Sequence, residues 1–67
     1  MPTISTEIIE RCFKYAQRSG IDGYKLIAVN LLRIPYDDVT EDQREAAKQI
    51  SLPYVTLMGG YDAIIKE

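Results

Sequence analysis

Helix-breaking residues divide this sequence into short segments, and the spacing of these breaks constrains the fold more than any other feature. Gly20, Pro35, Pro53 and the pair Gly59-Gly60 separate stretches in which apolar residues recur every three or four positions. Glycine tolerates the left-handed conformation that follows a helix, and proline lacks the N–H that a helix interior requires. The segments are therefore predicted to be short helices joined by turns.

The first two segments each combine a start signal with an apolar face. Ser5 or Thr6 can cap a helix over about residues 5–19, which the glycine that follows then ends. Asp22 can cap a second helix, in which apolar residues continue nearly all round the cylinder until Pro35. A helix of that kind is typical of the central element of a small bundle, or of an interface.

The third segment opens with a capping box. In the run from Thr40 to Gln43, the threonine and glutamine side chains can each accept a hydrogen bond from the other residue's backbone N–H. A helix is therefore predicted over about residues 41–50. Ser51 and Pro53 then interrupt the pattern, so a separate short helix is predicted to follow.

The end of the sequence allows two interpretations. The separate helix would cover about residues 53–58, although Tyr54 to Met58 is β-branched and aromatic enough for a strand. A lone strand would have no ladder partner, so a helix is favoured, with a last turn or two after Gly59-Gly60. Residues 1–67 are thus predicted to form one all-α domain, a small compact bundle of four to five short helices.

Composition limits the chemistry that the chain can perform. It contains no histidine and a single cysteine, Cys12, so it lacks the commonest neutral-pH base, the commonest zinc ligand and any intrachain disulfide. Cys12 falls in mid-helix on an apolar face, which favours a buried hydrophobic role over a nucleophilic one. Neither a calcium loop nor a phosphate-binding glycine motif is present. We expect no catalytic residue, metal, cofactor or enzymatic activity.

Charge and hydropathy narrow the choice of surroundings and partners. No apolar run approaches the roughly 20 residues of a membrane span, and the N-terminus lacks the order of a signal peptide, so a cytoplasmic protein without membrane contact is expected. Five basic against three acidic side chains give residues 1–34 a charge of +2, and three against seven give residues 35–67 a charge of −4. Excesses this small disfavour strong sequence-independent binding of nucleic acid.

The leading functional prediction is a non-enzymatic interaction protein. An accessory subunit, regulator or inhibitor of the kind that phages and plasmids encode would act by occupying a surface on a larger protein, or by pairing with its own copies. Tyrosine combines a large apolar area with a polar tip, which suits such surfaces. The predicted partner contacts are Tyr36, Asp37, Asp38, Glu41, Asp42, Glu45, Tyr54 and Tyr61.

From Gly20 onward the sequence also carries a pattern of G-x-D, V-T and Q-R-x-x-A-K. Its residues are Gly20, Asp22, Ala28, Pro35, Val39, Thr40, Gln43, Arg44, Ala47, Lys48 and Ile50. In this order, residues 20–58 resemble the fingers region of family A DNA polymerases. The resemblance implies that Arg44 and Lys48 hold the phosphates of a nucleotide, and their spacing puts them on one face of a helix.

The sequence also departs from that family. Tyr24 stands at the family's histidine, Leu52 and Thr56 at its aromatic residues, and Leu57 at the glycine that follows them. The carboxylates of the polymerase palm have no counterpart, so polymerase activity is excluded and only binding could be shared. The alternative function is therefore a nucleotide- or nucleic-acid-binding module. It would use Arg44 and Lys48, or the basic face formed by Arg11, Lys14 and Arg18.

Overall fold

The computed structural model describes residues 4–66, and this part of the chain contains four α-helices, one 3₁₀ turn and no strand. The predicted all-α bundle of four to five short helices is confirmed. The elements in chain order are α1 (Thr6–Ser19), α2 (Gly23–Leu32), the 3₁₀ turn (Tyr36–Asp38), α3 (Glu41–Leu57) and α4 (Tyr61–Ile65).

Side-chain caps fix the starts of the first three helices, as the sequence predicts. The Ser5 hydroxyl accepts a hydrogen bond of 3.2 Å from the Ile8 N–H, and Asp22 accepts bonds from the first turn of α2. In the capping box, the Thr40 N–H donates to Gln43 Oε1 at 2.9 Å, and the Gln43 N–H donates to the Thr40 hydroxyl at 3.2 Å. A hydrogen bond to a nearby side chain therefore fixes where each of these three helices begins.

The first two helices both end at a residue in the left-handed conformation. Gly20 closes α1 with a φ of 71°, as predicted. Arg33 closes α2 with a φ of 57°, an uncommon conformation for a residue with a Cβ. The helix therefore ends at Leu32, before Pro35 as predicted, because proline disfavours the helical conformation at Ile34 and the chain turns at Arg33.

The predicted break at Pro53 is wrong: α3 continues without interruption from Glu41 to Leu57. Ala47, Ser51 and Val55 lie four residues apart on the buried face, so packing against the core holds both sides of the proline in one helix. Pro53 itself lies on the exposed face, where the carbonyl that loses its donor can bind water. The buried Ser51 hydroxyl donates a hydrogen bond of 3.1 Å to the Lys48 carbonyl.

The core forms around α2, which packs against α1, α3 and the 3₁₀ turn. Ile27 and Ala28 are fully buried, in agreement with the predicted central position of this helix. The largest buried side chain is Phe13 of α1, and the rings of Tyr24 and Tyr61 meet its ring edge-on, with centroids 5.2 and 5.1 Å away. Aromatic pairs in this geometry stabilise a core beyond the area they bury.

The last helix closes the core from the other end of the chain. α4 packs against α1 and α3, and its Ile64 is buried. Gly60 precedes α4 with a φ of 95°, a conformation that favours glycine. Among the described residues no helix is both long and apolar enough to cross a membrane.

Candidate functional site

An apolar groove runs along the surface between α2 and α3. It encloses about 190 Å³, and nearly all of the surface that lines it is apolar. Leu32 on one wall is 46% exposed and Ile50 on the other is 50% exposed. The lining residues are Ala28, Leu31, Leu32, Gln43, Ala46, Ala47 and Ile50.

The apolar surface continues beyond the groove along α3. Tyr54 and Leu57 follow Ile50 at intervals of four and three residues, so all three lie on one side of the helix. Leu57 is 83% exposed, the highest value among the large apolar side chains of the described chain. A contiguous apolar surface of this kind is typical of an interaction site, because water contact with it is unfavourable.

The three tyrosines predicted as partner contacts lie in different surroundings. The Tyr36 hydroxyl accepts a hydrogen bond of 3.0 Å from the Asp22 N–H, and Lys25 Nζ lies 4.4 Å from its ring centroid. Tyr61 packs on Phe13 in the core and keeps part of its ring exposed. Tyr54 lies between Ile50 and Leu57 on the apolar surface of α3. Tyr36 and Tyr61 therefore contribute to the fold as well as to the surface.

The five acidic residues of the same prediction surround the start of α3. Asp37 and Asp38 lie in the 3₁₀ turn, Glu41 and Asp42 occupy the first turn of α3, and Glu45 follows one turn later. All five are exposed. Negative charge at this position is favourable to the helix dipole, and Asp42, one turn before the groove residue Ala46, places one acidic side chain beside that end of the groove.

Arg44 and Lys48 share one face of α3, as their spacing predicts, and both lie over the ring of Tyr24. The Arg44 guanidinium carbon is 5.6 Å and Lys48 Nζ is 6.0 Å from the ring centroid. Arg44 Nε donates a charge-assisted hydrogen bond to Asp22 Oδ2, which joins α3 to the start of α2. A phosphate at this face would have to compete with the Asp22 carboxylate for Arg44.

The pKa values of this cluster follow from the ion pair. Burial raises the pKa of the Asp22 carboxyl, but the hydrogen bond from Arg44 and those from the Lys25 and Tyr24 N–H groups outweigh it, and the net pKa is lowered. The hydrogen bond to Asp22 raises the pKa of Arg44. Burial raises the pKa of the Tyr24 hydroxyl. The pair is thus fully ionised at neutral pH.

Cys12 is buried on the apolar face of α1, as predicted. Its sulfur accepts a hydrogen bond of 3.3 Å from Asn30 Nδ2, and burial raises the pKa of the thiol. A raised pKa keeps the thiol protonated at neutral pH, which is the opposite of the activation that a nucleophilic cysteine needs.

The outer face of α1 presents a tyrosine among basic side chains. Tyr15 is 58% exposed, and it lines a concavity of about 300 Å³ with Arg11, Lys14 and Arg18. Arg11 pairs with Glu7 at 2.7 Å, and Lys14 pairs with Glu10 at 3.9 Å. The structure therefore brings the predicted basic residues together on one face of α1. The neighbouring Glu7 and Glu10 offset part of the positive charge of that face.

Sequence reasoning missed both the groove and the exposed tyrosine of α1. The sequence signal for the groove is the apolar pair Leu31-Leu32 at the end of α2. A helix that is apolar nearly all round has more apolar surface than its neighbours in a small bundle can cover, so part of that surface faces solvent. The three- and four-residue spacing of apolar residues in α1 also fits Tyr15, but the buried face of the helix consists of Ile9, Cys12, Phe13 and Ala16, and Tyr15 lies outside it.

No family model, curated protein or solved structure matches this chain. The resemblance of residues 20–58 to polymerase fingers therefore stays a prediction from the residues themselves.

Proposed function

We propose that this protein is a non-enzymatic interaction protein that binds a larger protein through the groove between α2 and α3. The observation that carries the proposal is the continuous apolar surface from Leu32 across Ile50 to Leu57. In this role the chain acts as an accessory subunit, regulator or inhibitor, by occupying a surface of its partner.

The exposed side chains can supply useful binding energy. Full burial of a leucine or isoleucine contributes about 1.5–3 kcal/mol relative to full exposure. Covering the exposed halves of Leu32 and Ile50 therefore contributes about 1 kcal/mol each, and covering Leu57 about 2 kcal/mol. A few such side chains at the centre of an interface are typical of residues that dominate affinity.

The shape and charge of the surface favour a helical segment as the partner. A groove between two helices accepts the apolar face of a third helix, with anchors spaced three and four residues apart. The predicted contact Asp42 lies one turn before Ala46 of the groove, and its charge favours a partner with a basic residue at that end.

The proposal is tested by quantitative comparison of proteins retained from the native host by three immobilised baits. These are the wild type, Ile50→Asp and the control Ile21→Ser, which removes an exposed apolar side chain from the turn between α1 and α2. We expect one or a few proteins to be retained by wild type and control but lost with Ile50→Asp. A retained set that is the same for all three baits would refute the proposed surface.

Two further measurements test whether the apolar surface as a whole binds the partner and whether that partner is a second copy of the chain. Leu57→Asp changes the most exposed side chain of the surface, so it should fold as the wild type does, by circular dichroism, and still lose the partner. Sedimentation of the isolated chain tests pairing between copies. A wild-type dimer that Ile50→Asp dissociates would assign the groove to a second copy of the chain.

A second candidate function is nucleotide binding by Arg44 and Lys48, favoured by their common position over Tyr24. It is tested by titration with nucleoside triphosphate at low and high salt. Binding that is salt-sensitive and lost in Arg44→Ala with Lys48→Ala supports this function. Absence of binding at low salt removes it.

A further inference from the structure

Tyr15 is an exposed aromatic residue that the core does not need. The buried face of α1 is filled by Ile9, Cys12, Phe13 and Ala16, and Phe13 makes its aromatic contacts with other tyrosines. A ring that is 58% exposed at the middle of a capped helix presents a rigid flat surface to solvent. This is the type of platform on which nucleobases stack.

Tyr15 also lies between two concavities of different character. One, of about 300 Å³, is lined by basic side chains: Arg11, Lys14 and Arg18. The other, of about 380 Å³, is lined mainly by apolar side chains and one amide, from Ile8, Cys12, Leu26 and Asn30, with Arg11 at the edge. A base placed on the Tyr15 ring would thus have an apolar recess on one side and cationic groups on the other.

The ion pairs on this face leave its cations accessible to another anion. The Arg11–Glu7 pair is mostly exposed, and the Lys14–Glu10 pair is long, so water competes with both. Arg18 forms no ion pair with the described residues. A phosphate can therefore bind Arg18 directly, and it can share Arg11 and Lys14 with their glutamates.

We propose that this face of α1, centred on Tyr15, binds single-stranded nucleic acid. Tyr15 stacks one base, and Arg11, Lys14 and Arg18 hold the phosphates on either side. Three cations neutralise too few phosphates for firm binding to a duplex, whose bases are already stacked. A single strand offers free base faces, and stacking adds affinity that charge alone does not supply on this face.

The test is fluorescence anisotropy with labelled oligo-dT and oligo-U of about twelve nucleotides, and with a duplex of the same length. Wild type should bind both single strands more tightly than the duplex, and the stronger of the two identifies DNA or RNA as the source. With three phosphates engaged, the logarithm of the affinity should fall with the logarithm of salt concentration at a slope of about −2.

Variants locate the binding. Tyr15→Ala should weaken it about tenfold while Tyr15→Phe preserves it, because the ring and not the hydroxyl stacks. Arg18→Gln should weaken binding and make the salt slope less steep by about 0.7. The matched control is Tyr54→Ala, which removes a partly exposed tyrosine from α3 and should leave binding unchanged. Ile50→Asp should also leave it unchanged, which separates this site from the groove.

Three outcomes would overturn the proposal. The first is that wild type binds neither strand at about 50 mM salt. The second is that Tyr15→Ala, shown by circular dichroism to be folded, binds as tightly as wild type. The third is that binding is lost in Arg44→Ala with Lys48→Ala and not in Tyr15→Ala, which would assign the binding to α3.

Discussion

Asp22 stabilises the fold in two separable ways, and substitution can remove one or both. Its Oδ1 caps α2 by accepting bonds of 2.9 Å from the Tyr24 N–H and 3.3 Å from the Lys25 N–H. Its Oδ2 accepts the bond from Arg44 of α3. Asp22→Asn keeps a capping oxygen but removes the charge, since asparagine is as good a cap as aspartate. Asp22→Ala removes both interactions.

The structure sets the size of each effect. Loss of a side-chain cap costs about 1 kcal/mol. A hydrogen bond between charged groups is worth about 1.5–3 kcal/mol when buried, and about 1 kcal/mol here, because about a third of each side chain is exposed to solvent. We therefore expect Asp22→Asn to lower the free energy of unfolding by about 1 kcal/mol and Asp22→Ala by about 2 kcal/mol. In a domain of this size the Tm falls by about 5 and about 10 °C.

The assay is urea unfolding followed by circular dichroism at pH 7, arranged as a double-mutant cycle with Asp22→Asn and Arg44→Gln. The two residues should couple by about 1 kcal/mol. A coupling energy below about 0.3 kcal/mol would refute the ion pair as a source of stability. Equal destabilisation by Asp22→Asn and Asp22→Ala would refute the separate role of the cap.

The same pair predicts a dependence on pH. Because folding lowers the pKa of Asp22 below its ordinary value of 3.8, the ion pair contributes its full stability above that value. The contribution is lost as the pH falls through the lower pKa of the folded state. The difference in unfolding free energy between wild type and Asp22→Asn should therefore be constant from pH 7 to about 5 and shrink below about pH 4. A difference that grows towards acid would contradict the lowered pKa.

Three further outcomes are expected. Gly23→Ala should destabilise the protein by about 1–2 kcal/mol in thermal unfolding, because the alanine Cβ would lie 2.3 Å from Phe13 Cδ1. Alanine favours helix more than glycine does, so a more stable variant would contradict this packing. Cys12 should react with a thiol reagent at neutral pH only as fast as the chain opens, so labelling should accelerate sharply in urea. Pro53→Ala should raise the Tm, because alanine supplies the backbone N–H that the Gln49 carbonyl lacks within the continuous helix α3. A lower Tm would show that the proline fits the helix without cost.

Local chemistry explains which parts of the fold could be predicted from the sequence. Ser5, Asp22 and the Thr40 capping box mark helix starts, and Gly20 marks an end, because each acts through atoms within four residues. The helix break predicted at Pro53 is wrong because that prediction considered only local effects of the proline. Its local cost is real, but the buried residues on either side of it hold α3 together through contacts that sequence spacing does not reveal.

The candidate site depends on how the helices pack against one another, and the spacing of residues in the sequence does not predict that packing. The groove lies between the end of α2 and the middle of α3, where Leu32 and Ile50 stay about half-exposed. Tyr36 was predicted as a surface contact, and only the structure reveals its bond to the Asp22 N–H. The same limit applies to Gly23, whose lack of a side chain makes room for Phe13 from another helix.

The aromatic cluster around Phe13 has a consequence for how the chain folds as it is made. Tyr24 covers one side of that ring early, but Tyr61 and the neighbouring Ile64 belong to the last helix described. Until α4 has emerged from the ribosome, the largest side chain of the core keeps one side open to water or to a chaperone. Completion of the core therefore waits for α4, while the groove between α2 and α3 can form before it.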